Sequence, residues 1–166
     1  ASNLKPHIRP PVPAGFQLDL RHYKLEGFHF LAYLTSHNFG GLLADDMGLG
    51  KTAQAICWML WLRERASRNA DGEAQDIHPC LVVAPKSVLD VWAGETVKFS
   101  PGLRVQVIRD KTELDVTRLG TDIDVLVMNY SQLRVNAEKM KPIEWLSVVL
   151  DEGQQIECSG PFGRFC

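Results

Sequence analysis

The stretch ADDMGLGKT at residues 44–52 decides the fold, because its composition is typical of a loop that binds phosphate groups. A short apolar run at 42–44 leads into it and predicts a buried strand. An apolar pattern with helical period at 52–65 follows it and predicts a helix. Gly48 and Gly50 allow backbone N–H groups to turn towards phosphates and keep side chains out of their way. The strand–loop–helix context therefore predicts a site for a nucleoside triphosphate.

Two side chains at the end of this stretch match the chemistry of such a site. Lys51 would reach the β- and γ-phosphates, and the Thr52 hydroxyl would bind Mg²⁺. The strict GxxxxGK[ST] pattern fails at one position, because Asp45 stands where the first glycine is expected. The alternative is an ordinary glycine-containing turn before a helix, with Lys51 as a solvated lysine of the first turn.

The rest of the chain alternates between short apolar runs and segments with helical spacing. The predicted strands are 80–84, 103–108, 125–128 and 148–150. The predicted helices are 20–34, 87–99 with Ser87 as N-cap, 111–119 and 131–140. Continuous apolar strands separated by helices predict a parallel sheet with helices on both faces.

Three segments have no such periodicity. Residues 1–15 carry four prolines and predict an extended linker or arm outside the core. Residues 67–76 are polar and predict a surface loop, and residues 158–166 predict an irregular tail. We therefore expect an arm at 1–17, one folded lobe at 18–157 and the tail.

Length and composition exclude several classes of protein. The chain has 166 residues, of which 45% are hydrophobic and 23% charged, as expected for one globular domain. No apolar run approaches the roughly 20 residues of a membrane span, and the amino-terminal segment lacks the apolar region of a signal peptide. We expect no membrane partner. The net charge of −2 excludes a strongly basic coat, so any contact with nucleic acid must be local or made by backbone groups.

The four cysteines do not predict a metal site. None is spaced as C-x-x-C, and no histidine cluster accompanies them, so zinc is not expected. Cys57 lies in an apolar helical pattern and Cys80 opens an apolar strand. Both are expected to be small buried side chains in a reducing compartment.

A pair of acids forms the second candidate feature. The apolar run at 148–150 is followed directly by Asp151 and Glu152. Because the carboxyl ends of parallel strands line the ligand crevice, Asp151 is assigned to Mg²⁺ and Glu152 to the attacking water. The alternative is a pair of acids that caps a helix N-terminus, which is common.

Four segments in this order resemble the Swi/Snf-type branch of the superfamily 2 helicase-like ATPases. They are ADDMGLGKT, LVVAPKSVLDVW, VLVMNYSQLR and VVLDEGQ, and the resemblance covers residues 18–157. Asp45 in place of glycine is itself typical of that branch. The resemblance implies an α/β fold, a RecA-like P-loop three-layer sandwich with a mainly parallel sheet. It also implies that ATP, with Mg²⁺, binds between two such lobes.

The resemblance also assigns roles residue by residue. It implies nucleotide contacts at Lys24, Asp46, Met47, Gly48, Leu49, Gly50, Lys51 and Thr52. It implies Mg²⁺ contacts at Thr52 and Asp151, and catalysis by Lys51, Asp151 and Glu152. It implies DNA contacts at Pro85, Lys86, Ser87, Asn129 and Tyr130, and coupling to the other lobe at Gln154. The alternatives are that residues 85–87 form only a strand-to-helix turn and that Tyr130 is a core aromatic.

The chain departs from the family pattern in three places. Lys24 stands where the family has a glutamine that holds the adenine edge, and an ammonium group can only donate, so we expect weaker selection of adenine. Gln154 takes the fourth position of the acid motif, where histidine is frequent but glutamine also occurs. The second lobe, which supplies an arginine finger and half of the DNA track, is missing. We expect the chain to be a first-lobe fragment.

The resemblance implies ATP-driven movement along double-stranded DNA without strand separation, with the missing lobe and a DNA-bound protein complex as further partners. A lone lobe would bind nucleotide weakly and hydrolyse little. One alternative is another P-loop enzyme such as a small-molecule kinase, but no arginine cluster stands out for its lid. The other is a non-enzymatic DNA- or protein-binding module with a vestigial nucleotide site. The expected location is the bacterial or archaeal cytoplasm, at the nucleoid, or the nucleus in a eukaryote.

Overall fold

A computed structural model describes residues 9–18, 22–37, 41–44, 50–69, 77–152 and 155–160. Strands and helices alternate over most of this range, as the apolar runs predict. The strands are β1 Gly41–Ala44, β2 Cys80–Val83, β3 Val105–Ile108, β4 Val125–Met128, β5 Ser147–Asp151 and β6 Gln155–Ser159. The helices are α1 His22–Ser36, α2 Lys51–Asn69, α3 Leu89–Phe99, α4 Tyr130–Val135 and α5 Ala137–Met140.

The six strands form one sheet in the order β1-β6-β5-β2-β4-β3. Neighbouring strands from β5 to β3 pair in parallel. Strand β6 is antiparallel to both β5 and β1, so β1 runs parallel to the other four strands. The prediction of a mainly parallel α/β sheet is therefore confirmed.

The sheet has a hydrophobic core on each face, as the alternation of side chains along a strand requires. On one face, Val82 and Val127 pack among buried residues of α1, α2 and α3. On the other face, Leu81 and Leu126 pack with Trp145 and neighbouring residues. This is the three-layer arrangement expected for a RecA-like lobe. In the described ranges, no helix is both long enough and apolar enough to cross a membrane.

Cys57 and Cys80 are fully buried free thiols, as predicted. Burial raises the pKa of Cys80 to about 11 and raises that of Cys57 above its ordinary value. Both thiols are therefore protonated at neutral pH and act as packing groups.

The amino-terminal arm is more involved in the core than the sequence predicts. Its described part, residues 9–17, has no helix or strand, but Phe16 is 7% exposed and lies with its ring centroid 6.0 Å from that of Phe99. The backbone N–H of Gln17 donates to the Phe99 carbonyl oxygen at 2.6 Å. His29 donates from Nε2 to the Pro10 carbonyl oxygen at 2.9 Å. The prediction that the arm stays outside the core is wrong for this part.

Two predicted helices are shorter or interrupted. The helix expected at 111–119 is only a 3₁₀ turn, Val116–Arg118, which Asp115 caps by accepting from the Thr117 N–H. The helix expected at 131–140 is divided at Asn136, whose side-chain amide donates to the Gln132 carbonyl oxygen at 2.8 Å. Asparagine side chains that bond to the backbone compete in this way with helix continuation.

Two further expectations are wrong. Ser87 does not cap α3, because it lies inside a 3₁₀ turn, Lys86–Val88, and α3 begins at Leu89 without a side-chain cap. The irregular tail does not begin at residue 158, because Cys158 and Ser159 belong to β6. Residues 161–166 of that predicted tail lie outside the described residues.

Candidate functional site

The carboxyl ends of the parallel strands gather the candidate residues at one edge of the sheet. Leu43 of β1 and Asp151 of β5 both pair with Ile156, so they are about 10 Å apart at the same level. Val83 of β2 pairs with both Leu150 of β5 and Met128 of β4. The described segments that follow β2 and β4 therefore lie at the same edge of the sheet as the end of β1 and as Asp151 and Glu152 at the end of β5.

The segment before α2 ends in a turn at Gly50. Gly50 has a φ of 91°, in the left-handed region that favours glycine. Helix α2 begins at Lys51, and its first turn closes where the Gln54 N–H donates to the Gly50 carbonyl oxygen at 2.9 Å. The N–H groups of such a helix start attract anions.

Lys51 is buried and not a solvated first-turn lysine, since its exposed fraction is 4%. That burial argues against the alternative of an ordinary turn before a helix. Thr52, the next residue, is half-buried. A lysine held in this way at a helix start can neutralise phosphate charge with little solvent screening.

Some predicted contacts cannot be placed. Asp46, Met47, Gly48, Leu49 and Gln154 lie outside the described residues, and Lys24 is described only as a backbone position in the first turn of α1. Their assignments remain predictions.

The acid pair stands at the end of a strand, as predicted. Asp151 is the last residue of β5 and is 7% exposed, while Glu152 follows it and is exposed. The next described element is β6 and not a helix, so these acids do not cap a helix N-terminus. The two carboxyl groups therefore differ in their exposure to solvent.

Two aromatic side chains hold Asp151. The indole Nε1–H of Trp92 donates to Asp151 Oδ2 at 2.9 Å, and the Tyr130 hydroxyl donates to the Asp151 carbonyl oxygen at 3.0 Å. Burial, and the negative charges of Glu152, Asp151 and Glu157, raise the pKa of Tyr130 to about 12, so the hydroxyl keeps its proton. Trp92 lies in the segment LVVAPKSVLDVW but is not among the site residues predicted from the sequence.

The donor set at this edge fits Mg²⁺. Mg²⁺ prefers oxygen ligands and is often held by one or two protein groups plus phosphate oxygens. The Thr52 hydroxyl, in the first turn of α2, and the Asp151 carboxylate, at the end of β5, are such groups. Within the described ranges, no cluster of three or more His, Cys, Asp or Glu side chains could hold a metal ion.

The predicted DNA contacts emerge from the neighbouring strands β2 and β4. Pro85, Lys86 and Ser87 follow β2, and Lys86 and Ser87 are exposed. Lys86 Nζ lies 3.2 Å from Asp110 Oδ2 in an exposed ion pair. The hydrogen bond and charge of Lys86 lower the pKa of the Asp110 carboxyl. The one cation of this turn is therefore partly neutralised by a neighbouring acid.

Asn129 and Tyr130 are less available than the residues after β2. Asn129 is 7% exposed, and its Oδ1 accepts from the Gln132 N–H at 2.8 Å, which caps α4. The Tyr130 hydroxyl is committed to Asp151. Their structural roles are thus clear, and contact with DNA stays a prediction for both.

Comparison with known proteins agrees with this architecture. The sequence profile of the SNF2-related domain matches residues 23–160. The chain is 35% identical over 143 residues to the ISWI chromatin-remodeling complex ATPase ISW2 of Saccharomyces cerevisiae, covering 83% of this chain and 12% of that protein. It is 34% identical over 161 residues to the putative ATP-dependent helicase/translocase YwqA of Bacillus subtilis, covering 95% of this chain and 16% of that protein.

A solved structure is similar in fold as well as sequence. The Sulfolobus solfataricus SWI2/SNF2 ATPase core in complex with double-stranded DNA superposes with a TM-score of 0.68 at 33% identity, covering 84% of this chain and 27% of that one. The chain thus spans between an eighth and about a quarter of these proteins. With the strand order, the buried Lys51 and the strand-end acids, these matches place the chain in the SNF2-related domain family, with the RecA-like fold of the SWI2/SNF2 ATPase core.

Proposed function

We propose that this chain is the first nucleotide-binding lobe of an ATP-dependent translocase that moves on double-stranded DNA. The observation that carries the proposal is the buried Lys51 at the start of α2, on the same edge of the sheet as Asp151 and Glu152. Relatives named as ATPases and helicases support the same reaction class. The lobe would bind ATP at this edge.

Each side chain has a distinct task in the proposed site. Lys51 neutralises charge on the phosphates, and the Gly50–Lys51 turn offers backbone N–H groups to them. Thr52 and Asp151 would hold Mg²⁺, which when bound supplies charge stabilisation at the phosphate oxygens. Glu152, exposed beside the metal ligand, orients the attacking water and accepts its proton.

We propose that the lobe alone binds nucleotide but hydrolyses little. The matched region is 12% of the length of the yeast relative and 16% of that of the Bacillus relative. In related nucleotide hydrolases, an arginine supplied from outside the phosphate loop is worth about 10³–10⁵ in rate. We place that arginine in a second lobe, which would close over the edge that carries Lys51.

Calorimetric titration of Mg-ATP into the chain is expected to show saturable binding that Lys51→Ala abolishes. The reason is that the alanine removes the buried cation at the phosphate position. Lys141→Ala is the matched control, because Lys141 is exposed in a surface pair with Glu138, before β5. Parallel titration with Mg-GTP reports on Lys24, with a ratio near one if the ammonium no longer selects adenine.

Equal binding by the unmodified chain and Lys51→Ala would contradict the proposed site. Strong turnover of ATP by the chain alone, stimulated by DNA, would contradict the proposed need for a second lobe. Circular dichroism of both proteins checks that the comparison is made between folded chains.

Double-stranded DNA is the proposed partner of the turn that follows β2, and the solved complex supports this choice. Asp110→Asn is expected to raise the affinity for duplex DNA about two- to fivefold, since it frees Lys86 from a surface ion pair. The salt dependence should steepen by about one released counterion. Both quantities come from fluorescence anisotropy at several salt concentrations.

Asp122→Asn is the control for this experiment. It makes the same change in net charge, and Asp122 pairs with Arg118 at the opposite edge of the sheet, before β4. If both variants gain affinity equally, the effect is one of overall charge and Lys86 is not the contact.

A further inference from the structure

Trp92 and Asp151 make a contact that packing alone does not require. The two residues are 0% and 7% exposed, and the indole N–H meets Asp151 Oδ2 at 2.9 Å. Indole nitrogen can donate but not accept, and a hydrogen bond to a carboxylate is stronger than one between neutral groups. A donor of fixed direction on one oxygen sets the rotation of the carboxylate plane about the Cβ–Cγ bond.

Tyr130 holds the same residue through its main chain. Its hydroxyl donates to the Asp151 carbonyl oxygen at 3.0 Å, so both the backbone and the side chain of Asp151 carry an aromatic donor. The two donors come from α3 and α4, which follow the neighbouring strands β2 and β4. The end of β5 is therefore fixed from two helices.

We propose that Trp92 is a positioning residue, which orients the Asp151 carboxylate for Mg²⁺ bound with nucleotide. The inference rests on the proposed function and extends it to a residue that does not itself touch nucleotide or metal. Groups that hydrogen-bond to metal ligands fix the geometry of those ligands, and their loss weakens metal binding about 10- to 100-fold. Trp92 is such a group, because it donates a hydrogen bond to Asp151, the proposed metal ligand.

The test is the Mg²⁺ dependence of ATP binding by the whole chain. Affinity for ATP is measured by calorimetry in EDTA and across a Mg²⁺ titration. Trp92→Phe keeps an aromatic ring but removes the N–H donor. It should raise the Mg²⁺ concentration for half-maximal enhancement of ATP binding about 10- to 100-fold, with the affinity in EDTA unchanged within about twofold.

Trp58→Phe is the matched control. Trp58 is also buried, at 2% exposed, and its indole N–H donates to Thr35 Oγ1 at 2.9 Å. Its ring lies beside Gly160, which follows β6 near the start of β5 and not near Asp151 at the end of β5. The change removes the same ring and the same kind of donor. It should leave the Mg²⁺ dependence at the value of the unmodified chain, even where it lowers thermal stability.

The outcomes separate the inference from the proposed function. If the unmodified chain binds no ATP, with or without Mg²⁺, both fail. If it binds ATP in a Mg²⁺-dependent way and Trp92→Phe retains that dependence, or Trp58→Phe shifts it equally, only the inference fails.

A second measurement uses only the unmodified chain, so it does not depend on the folding of a variant. In the ¹⁵N-labelled chain, the assigned indole N–H resonance of Trp92 should shift when Mg-ATP replaces metal-free ATP, and that of Trp58 should not. A Trp92 resonance unchanged at saturating Mg-ATP would overturn the inference.

Discussion

Replacing Asp124 by alanine is expected to lower the free energy of unfolding by about 3–5 kcal/mol. Asp124 lies just before β4 and is 2% exposed. Arg104 donates to it from its backbone N–H at 2.9 Å and from Nε and Nη2 at 3.1 and 3.0 Å. Arg63 of α2 places Nη2 3.0 Å from Oδ1. Alanine would leave the largely buried Arg63 without its carboxylate partner.

Urea unfolding of the two chains measures this difference. Asp122→Ala is the control, because Asp122 lies two residues away and its side chain makes an exposed pair with Arg118 at 3.6 Å. Exposed pairs contribute about 0–1 kcal/mol. An Asp124→Ala chain as stable as the control would show that the buried cluster does not hold α2, β3 and β4 together.

The same residue gives a dependence on pH whose sign can be worked out. Burial alone would raise the pKa of Asp124, but the hydrogen bonds from Arg104 and the charge of Arg63 outweigh it and lower the pKa. A lowered pKa in the folded state stabilises the fold above the unfolded pKa of about 3.9. The stability difference between the unmodified chain and Asp124→Ala should therefore shrink as the pH falls below about 4. A constant difference down to pH 2 would contradict this assignment.

The parallel part of the fold was predictable because its strands are continuous apolar runs. Residues 80–83 and 125–128 are buried at every position, and such runs between helices are typical of parallel sheets. Strand β6 was not predicted, because it is not a continuous apolar run. Its segment QIECS has two apolar residues, Ile156 and Cys158, which are buried, and Glu157 between them is exposed, so its apolar content is that of a loop. The one usable signal was the alternation around Glu157.

Only those residues of the candidate site were predictable that a local sequence pattern identifies. Lys51 and Thr52 follow the glycines, and Asp151 ends an apolar run, so local pattern finds all three. Trp92 is 59 residues from Asp151 in sequence, and its spacing on α3 is that of an ordinary core residue. Nothing local distinguishes a buried indole that packs from one that also orients an acid.

The largest expected loss of folding stability comes from a charged side chain placed in β6. Ile156→Asp is expected to lower the free energy of unfolding by more than about 4 kcal/mol, because it buries an unpaired carboxylate in the core. Ile156 is 2% exposed and pairs with both Leu43 and Asp151. Glu157→Asp puts the same new side chain on the next, exposed position of the strand and should change stability by less than about 0.5 kcal/mol. Thermal unfolding of the two variants, followed by circular dichroism, is the measurement.

Replacing Ile156 by alanine is a smaller change, and it tests whether β6 holds the nucleotide site in place. Among the described strands, β1 pairs with β6 alone, so β6 sets the distance of about 10 Å between the strand that leads to Lys51 and the strand that ends at Asp151. Ile156→Ala should cost about 2–5 kcal/mol and, at a temperature where the chain is still folded, weaken Mg-ATP binding as well. Leu103→Ala, in the same core but just before β3, should also destabilise the chain without that loss, since it leaves both the pairing of β1 and the helix that carries Trp92 untouched. If the two folded variants bind Mg-ATP with equal affinity, β6 completes the sheet but does not position the site.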